Sequence, residues 1–231
     1  MICAGDARKG GMDKMKMSIG AMIQTMSEGL GRTCAIFGLT LLFSLPLGLI
    51  FALLRKSRFA PVRMVMRVFI SVLRGTPLML QLLAVTYGPV YLFEMSISRN
   101  KLIPIIIGFA LNYAAYFAEI YRGGIESMPV GQYEAAAVLG YSRFQTFMRI
   151  ILPQVVKRIL PSVTNEVITL VKDTSMAFTV AYQEMFTIGK QIASTTTSFM
   201  PFVIAGVFYY IFNSLVAFVM SLFEKRLSYY R

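Results

Sequence analysis

Histidine is absent from the 231-residue chain. Imidazole-based triads, histidine metal sites and imidazole proton relays are therefore excluded. Cysteine is nearly absent: Cys3 and Cys34 are the two present, and Cys34 lies in an apolar run, so no disulfide framework or thiolate cluster follows. Charge is scarce at 15% of residues, and acidic side chains are outnumbered 11 to 23 by basic ones. The net charge of +12 would suit nucleic acid, but the lysines and arginines gather just outside apolar runs instead of forming one basic face. That is the placement membrane orientation produces, and it argues against a nucleic-acid partner. A cleavable signal is also missing, since Met1 to Met17 is polar and basic and the first apolar run is too long for a signal core.

What is abundant is apolar sequence, 56% of the chain. Several runs reach the roughly 20 residues that a helix needs to cross hydrocarbon. The expectation is an all-α integral membrane protein with one membrane domain over residues 31–225. A tail and interfacial helix (1–30) precede it, and a cytoplasmic tail (226–231) follows. The interfacial helix rests on Ile19, Met22, Ile23 and Met26, spaced i, i+3, i+4 and i+7. The first span lies between Arg32 and Arg55, with no charge between them and a kink expected at Pro46 and Gly48. The basic run from Arg55 to Arg58 marks a cytoplasmic exit.

The second span runs from beyond Arg67 to about Phe93 and carries Arg74, Gly75, Thr76 and Pro77 inside it. The third starts at Leu102. A fourth, weaker span begins after Pro153 or Pro161 and holds Asn165, Glu166, Lys172 and Asp173. The fifth covers about Phe199 to Phe223 and ends in a basic tail. Five spans with a cytoplasmic C-terminus put the N-terminus outside, which sets Arg8, Lys9, Lys14 and Lys16 against the charge rule.

Arg74 lies eleven residues beyond Arg63, roughly 16 Å of helix, which places it near mid-membrane, where a charge marks a pathway or a buried partner. Gly75 and Pro77 loosen the helix there, and an unwound stretch that includes Thr76 frees backbone groups for a ligand. Two readings of Arg74 remain open: a bidentate contact to a carboxylate, or a structural ion pair with Asp173. Lys172 and Asp173 point roughly 100° apart on a helix, and Thr174 and Ser175 add hydroxyls that serve backbone or ligand. Gln81 and Asn112 suit an interhelical hydrogen bond or a ligand contact. Glu119 and Arg122, one turn apart, suit a local pair or a gate.

Between the third and fourth spans the sequence spells a helical hairpin. Pro129 suits a first helical turn, and Val130, Tyr133 and Ala137 share a face. Gly140 supplies the positive φ that ends the helix, and Ser142 with Gln145 forms a capping box for a second helix bearing Phe144, Phe147, Met148 and Ile151. Pro153 closes that apolar face. Spacing alone allows a plain connecting loop or a knob offered to a partner.

Glu134, Ala135 and Ala136, followed by Gly140 and the I-L-P of Ile151 to Pro153, resemble the EAA loop of ATP-binding-cassette importer permeases. The stretches RGTPLMLQL (Arg74 to Leu82), YFAEIYRGGIESMPVGQYEAA (Tyr116 to Ala136) and VITLVKDTSMAF (Val167 to Phe178) resemble the polar amino-acid uptake permeases of bacteria. The likeness covers about residues 25–225. It implies a type I ABC importer transmembrane domain of about five transmembrane helices with a coupling-helix loop at about 123–153, in the bacterial inner membrane. It also implies two ATP-binding subunits in the cytoplasm, a second permease subunit identical or related to this one, and an extracytoplasmic amino-acid-binding protein. Glu134, Ala135, Ala136 and Gly140 would couple to the ATPase, which alone would bind ATP and magnesium, leaving this chain without a cofactor or an enzymatic role. An ion-coupled carrier would need two repeated halves, and a membrane-embedded enzyme a convergent nucleophile and base; five spans without histidine offer neither.

Overall fold

The computed structural model describes residues 17–94 and 100–227, and among these it contains helices and no strands. In chain order they are α1 (Ile19–Arg55), α2 (Ala60–Gly75), α3 (Leu78–Phe93), α4 (Leu102–Glu126), α5 (Val130–Val138), α6 (Arg143–Thr146), a π turn (Phe147–Ile151) and α7 (Leu152–Asp173). A 3₁₀ segment (Thr174–Val180), α8 (Met185–Thr196) and α9 (Met200–Leu227) complete the fold. The basic residues Arg8, Lys9, Lys14 and Lys16 lie outside the described residues, as does most of the 226–231 tail.

α1 turns small and hydroxyl-bearing side chains inward and large apolar ones outward. Gly29, Thr33, Ile36, Thr40, Ser44 and Gly48 form its buried stripe, while Leu42, Phe43, Leu49, Ile50 and Leu53 are exposed. This reverses the soluble pattern and suits a helix whose outer face meets lipid and whose inner face lets a neighbour come close. At Gly48 an added Cβ would lie 2.7 Å from the Cβ of Phe117 on α4, so only glycine permits that approach. Residues 19–30, expected as a separate interfacial helix, run without a break into the first span, and the helix continues through Pro46. Its 37 residues span about 55 Å, well beyond a hydrocarbon core of about 30 Å. The extra length packs Met22 and Met26 against Met185, Ile192 and Ile204 of α8 and α9.

α4 is the central helix. Phe109, Tyr113 and Phe117 are almost fully buried on it among Leu82, Val167, Leu170 and Val171 from α3 and α7. Its alanines at 114, 115 and 118 receive Ile70 of α2 and Phe51 of α1.

The second span is broken. α2 and α3 meet at an angle of 111° across Gly75–Pro77, as the glycine and proline there predict. Among the described residues three helices are long and apolar enough to span a membrane, α1, α4 and α9, and the bent α2–α3 pair adds a fourth where it is taken as one span. α7 is the expected fourth crossing; its polar residues make it less apolar than the others, but it packs between α4 and α9, where Glu224 accepts a hydrogen bond from Thr164 at 2.7 Å.

α8 was not foreseen from the sequence. Glu184 caps it, accepting from the backbone N–H groups of Phe186 (2.7 Å) and Thr187 (2.6 Å). Met185, Ile188 and Ile192, at i, i+3 and i+7, were the sequence signal that could have revealed it.

Candidate functional site

Two places carry the expected chemistry: a polar centre beside the α2–α3 break, and the hairpin between α4 and α7.

At the break the first helix loses its carbonyl partners, and side chains replace them. Gln81 Nε2 donates to the carbonyls of Leu73 (2.7 Å) and Thr76 (3.1 Å) and to Thr76 Oγ1 (2.8 Å). Asn112 Nδ2, reaching across from α4, donates to the Leu73 carbonyl (3.1 Å) and to Gln81 Oε1 (3.0 Å). Thr76 Oγ1 in turn donates to the Val72 carbonyl at 2.8 Å. Of the two roles open to Gln81 and Asn112, the structure shows the interhelical hydrogen bond. Together with Thr76 they hold the unwound corner in one shape.

Arg74 does not pair with Asp173. Its guanidinium lies 5.2 Å from the ring centroid of Tyr116 and 3.8 Å from Glu119, while Asp173 Oδ2 accepts from Tyr113 Oη at 2.7 Å. The physical reason is that α4 runs between the two groups and offers each a nearer partner. Glu119, only 13% exposed, gathers cations from three helices: Arg55 of α1 and Arg122 of its own helix bind it, and Arg74 of α2 approaches it. Arg122 also pairs with Glu126. The expected Glu119–Arg122 pair is thus present, enlarged into a hub that ties α1, α2 and α4 together.

The hydroxyls of Thr174 and Ser175 are committed to the backbone, donating to the carbonyls of Val171 (2.7 Å) and Lys172 (2.8 Å) where α7 tightens into the 3₁₀ segment. Lys172 is exposed, and Asp173 is half-buried beside Tyr113. Glu166 lies two turns before Asp173 on the same face of α7. Along α4 the structure thus sets Tyr116 beside Arg74 and Tyr113 beside Asp173. Tyr113, Tyr116 and Arg55 were missed by the sequence reading. The signal for the tyrosines was their i, i+3 spacing with Glu119 three residues further on.

The hairpin follows its sequence signals closely. Gly140 has φ +79°. The Tyr141 N–H donates to the Ala136 carbonyl and the Gly140 N–H to the Ala137 carbonyl, both at 3.0 Å, which is a Schellman ending for α5. Ser142 and Gln145 then make the capping box. Two details differ from expectation. α6 is only four residues long, and Phe147 to Ile151 form a π turn that passes directly into α7. Pro153 lies in the first turn of α7 and does not end the face: it has no N–H to offer the turn before it, and the wider π turn lets the helix continue past it. The second limb of the hairpin is therefore the start of the fourth span.

The hairpin is also fastened sideways. Gln132 and Gln154 exchange two hydrogen bonds at 3.0 Å, joining α5 to α7. Arg158 donates to the Ser127 carbonyl at 2.7 Å. Met128, Ile151 and Val155 pack into a small core at its base, and at Gly124 an added Cβ would lie 2.2 Å from Ile159. Ala136 faces inward, while Glu134, Ala135, Val138, Leu139 and Phe144 are exposed at the tip.

A helical bundle with spans long enough to cross a membrane, a broken helix at its polar centre and an exposed hairpin fastened to the bundle suits a transport subunit. Residues 44–229 match the family described as the inner membrane component of binding-protein-dependent transport systems, and the chain belongs to it. Among its relatives are a probable amino-acid permease protein of Bacillus subtilis, YxeN, 34% identical over 88% of this chain and 92% of its own length. Another is the L-cystine transport system permease protein TcyL of the same organism, 37% identical over 90% of each. A solved amino acid ABC transporter with histidines is 31% identical and superposes with a TM-score of 0.82, covering 92% of this chain and all of that one. The inward-facing MetNI methionine ABC transporter, at 19% identity and a TM-score of 0.66, shares the fold. The chain is an integral membrane permease subunit of the ABC importer type.

Proposed function

We propose that this chain carries amino acids across the bacterial inner membrane as one of two permease subunits, identical or related, driven by two cytoplasmic ATPase subunits and supplied by an extracytoplasmic binding protein. ATP and magnesium belong to the ATPase, and this chain contributes no cofactor and no hydrolytic step. Relatives named for cystine and arginine transport support an amino-acid cargo.

The observation that carries the reading is the union of hairpin and span. α5 is tied to α7 by the Gln132–Gln154 pair, the Arg158–Ser127 contact and the Gly124 packing hold the end of α4 against α7, and the π turn runs straight into the membrane helix. A push on Val138, Leu139 and Phe144 thus reaches the polar centre as rigid-body motion, the mode by which closing of an ATPase pair exchanges outward for inward access. ATP then binds more tightly to one access state than to the other. At the centre Arg74 offers the cargo's carboxylate a fork in exchange for its loose contact with Glu119, and Asp173 and Glu166 suit its ammonium group.

Transport of radiolabelled amino acids into proteoliposomes containing the co-purified complex tests this. Glu134→Lys is expected to abolish ATP-dependent uptake while the protein remains inserted, because the change is at the docking face. Uptake that persists without ATP under an ion gradient would contradict the proposal.

A further inference from the structure

α2 is amphipathic in the reverse sense to a surface helix. Arg63, Arg67 and Arg74 share a face with the buried Ile70, being spaced four, three and four residues apart, whereas Met64, Val65, Val68 and Val72 form an exposed apolar stripe on the other side. The arginines thus lie on the side of α2 that packs against the protein through Ile70, and they stay exposed there. At the cytoplasmic end Arg63 and Arg67 meet Arg55 and Lys56 from the end of α1 and Arg122 from α4 around a cleft of about 470 Å³, with Glu126 as its single carboxylate.

Charge in this cleft is unbalanced. Arg55 and Arg122 are held by Glu119, and Arg122 also by Glu126. Lys56, Arg63 and Arg67 form no ion pair among the described residues. The charge rule for membrane loops explains cations at this level, but it does not explain why three helices turn them toward one concave space.

We propose that this cleft binds the phosphate of an anionic phospholipid from the cytoplasmic leaflet. Arginine forks suit a phosphate's oxygens, and a single anion there would relieve the mutual repulsion of five cations. A lipid is favoured over a soluble phosphate because exposed apolar side chains adjoin the residues of the cleft: Leu53 and Leu54 precede Arg55, and Phe59 lies one turn before Arg63. Only an amphiphile joins an anionic head to chains that cover such a border. The lipid would brace α1, α2 and α4 at the hub from which Glu119 reaches Arg74. The site stands independently of which cargo the chain carries.

Native mass spectrometry of the purified complex, titrated separately with phosphatidylglycerol, phosphatidylcholine and inorganic phosphate, tests the site. Phosphatidylglycerol is expected to be retained in preference to phosphatidylcholine, and the double variant Arg63→Gln/Arg67→Gln to weaken that retention by about tenfold or more. Arg63→Lys/Arg67→Lys should restore most of it, and Lys190→Gln on α8 should leave it unchanged. A readout that needs no variant is thermal unfolding of the wild-type complex, which phosphatidylglycerol should raise and phosphatidylcholine should not. Equal retention of the two lipids, or undiminished retention in the Gln variant, overturns the proposal. Binding of inorganic phosphate as tight as that of the lipid would assign the cleft to a soluble anion and overturn the lipid as its source.

Discussion

In the hairpin, each bond that sets the shape joins residues close in sequence: Tyr141 to Ala136, Ser142 to Gln145, and, at the furthest, Gln132 to Gln154 and Ser127 to Arg158, 22 and 31 residues apart. In the polar centre the local bonds of Gln81 and Thr76 are joined by distant ones. Asn112 reaches Leu73 across 39 residues and Tyr113 reaches Asp173 across 60. A lever must keep its form while it is pushed, and local capping supplies that. A centre that has to change partners between access states is better built from groups on separate helices, whose contacts are made or lost when the helices shift.

The largest effect should come from Glu119→Gln. It leaves Arg55, Arg74 and Arg122 around a half-buried space without their shared carboxylate, a loss of about 3 kcal/mol. Thermal unfolding of the purified complex should fall by several degrees, while the hairpin, probed by proteolysis, stays intact. Gly140→Val should do the reverse. A β-branched side chain at φ +79° costs about 1–2 kcal/mol locally, so ATP-driven uptake should drop about tenfold or more with the unfolding midpoint nearly unchanged. An unchanged uptake would break the contrast between the two regions.

The Gln132–Gln154 pair gives a finer test. Each alanine variant removes both bonds, so the double-mutant cycle should show coupling of about 1 kcal/mol between the two positions, measured as ATP hydrolysis stimulated by the loaded binding protein. Additive effects would mean that α5 and α7 are not joined there. The smallest change should follow Ala181→Gly. Ala181 has φ 54° just after the 3₁₀ segment, and glycine there should stabilise by about 0.5–1 kcal/mol, visible as a slight rise in unfolding midpoint with uptake unaffected.

The same contrast explains what could be read in the amino-acid sequence. The hairpin was legible almost residue by residue, because Gly140, Ser142 and Gln145 act on their own neighbours. Its second limb was misjudged at Pro153, where a π turn carries the helix on. The broken second span was legible at Gly75 and Pro77, but not its angle. Arg74 was recognised as exceptional, yet its partner was not, since choosing Glu119 and Tyr116 over Asp173 requires knowing that α4 lies between them. α8 escaped because a 12-residue helix carries too weak a periodic signal beside long apolar spans. The merging of residues 19–30 with the first span is likewise a tertiary effect: their inner face is buried by Met185 and Ile192, which are distant in sequence.

The account stands or falls on whether the exposed tip of the hairpin seats in an ATPase. Phe144→Cys, in a chain whose Cys3 and Cys34 are replaced by serine, should crosslink to a co-purified nucleotide-binding subunit through a short bifunctional reagent, with ATP-driven uptake lost in proportion to the adduct. If that cysteine yields no protein adduct and uptake continues after treatment, the hairpin is not the coupling element.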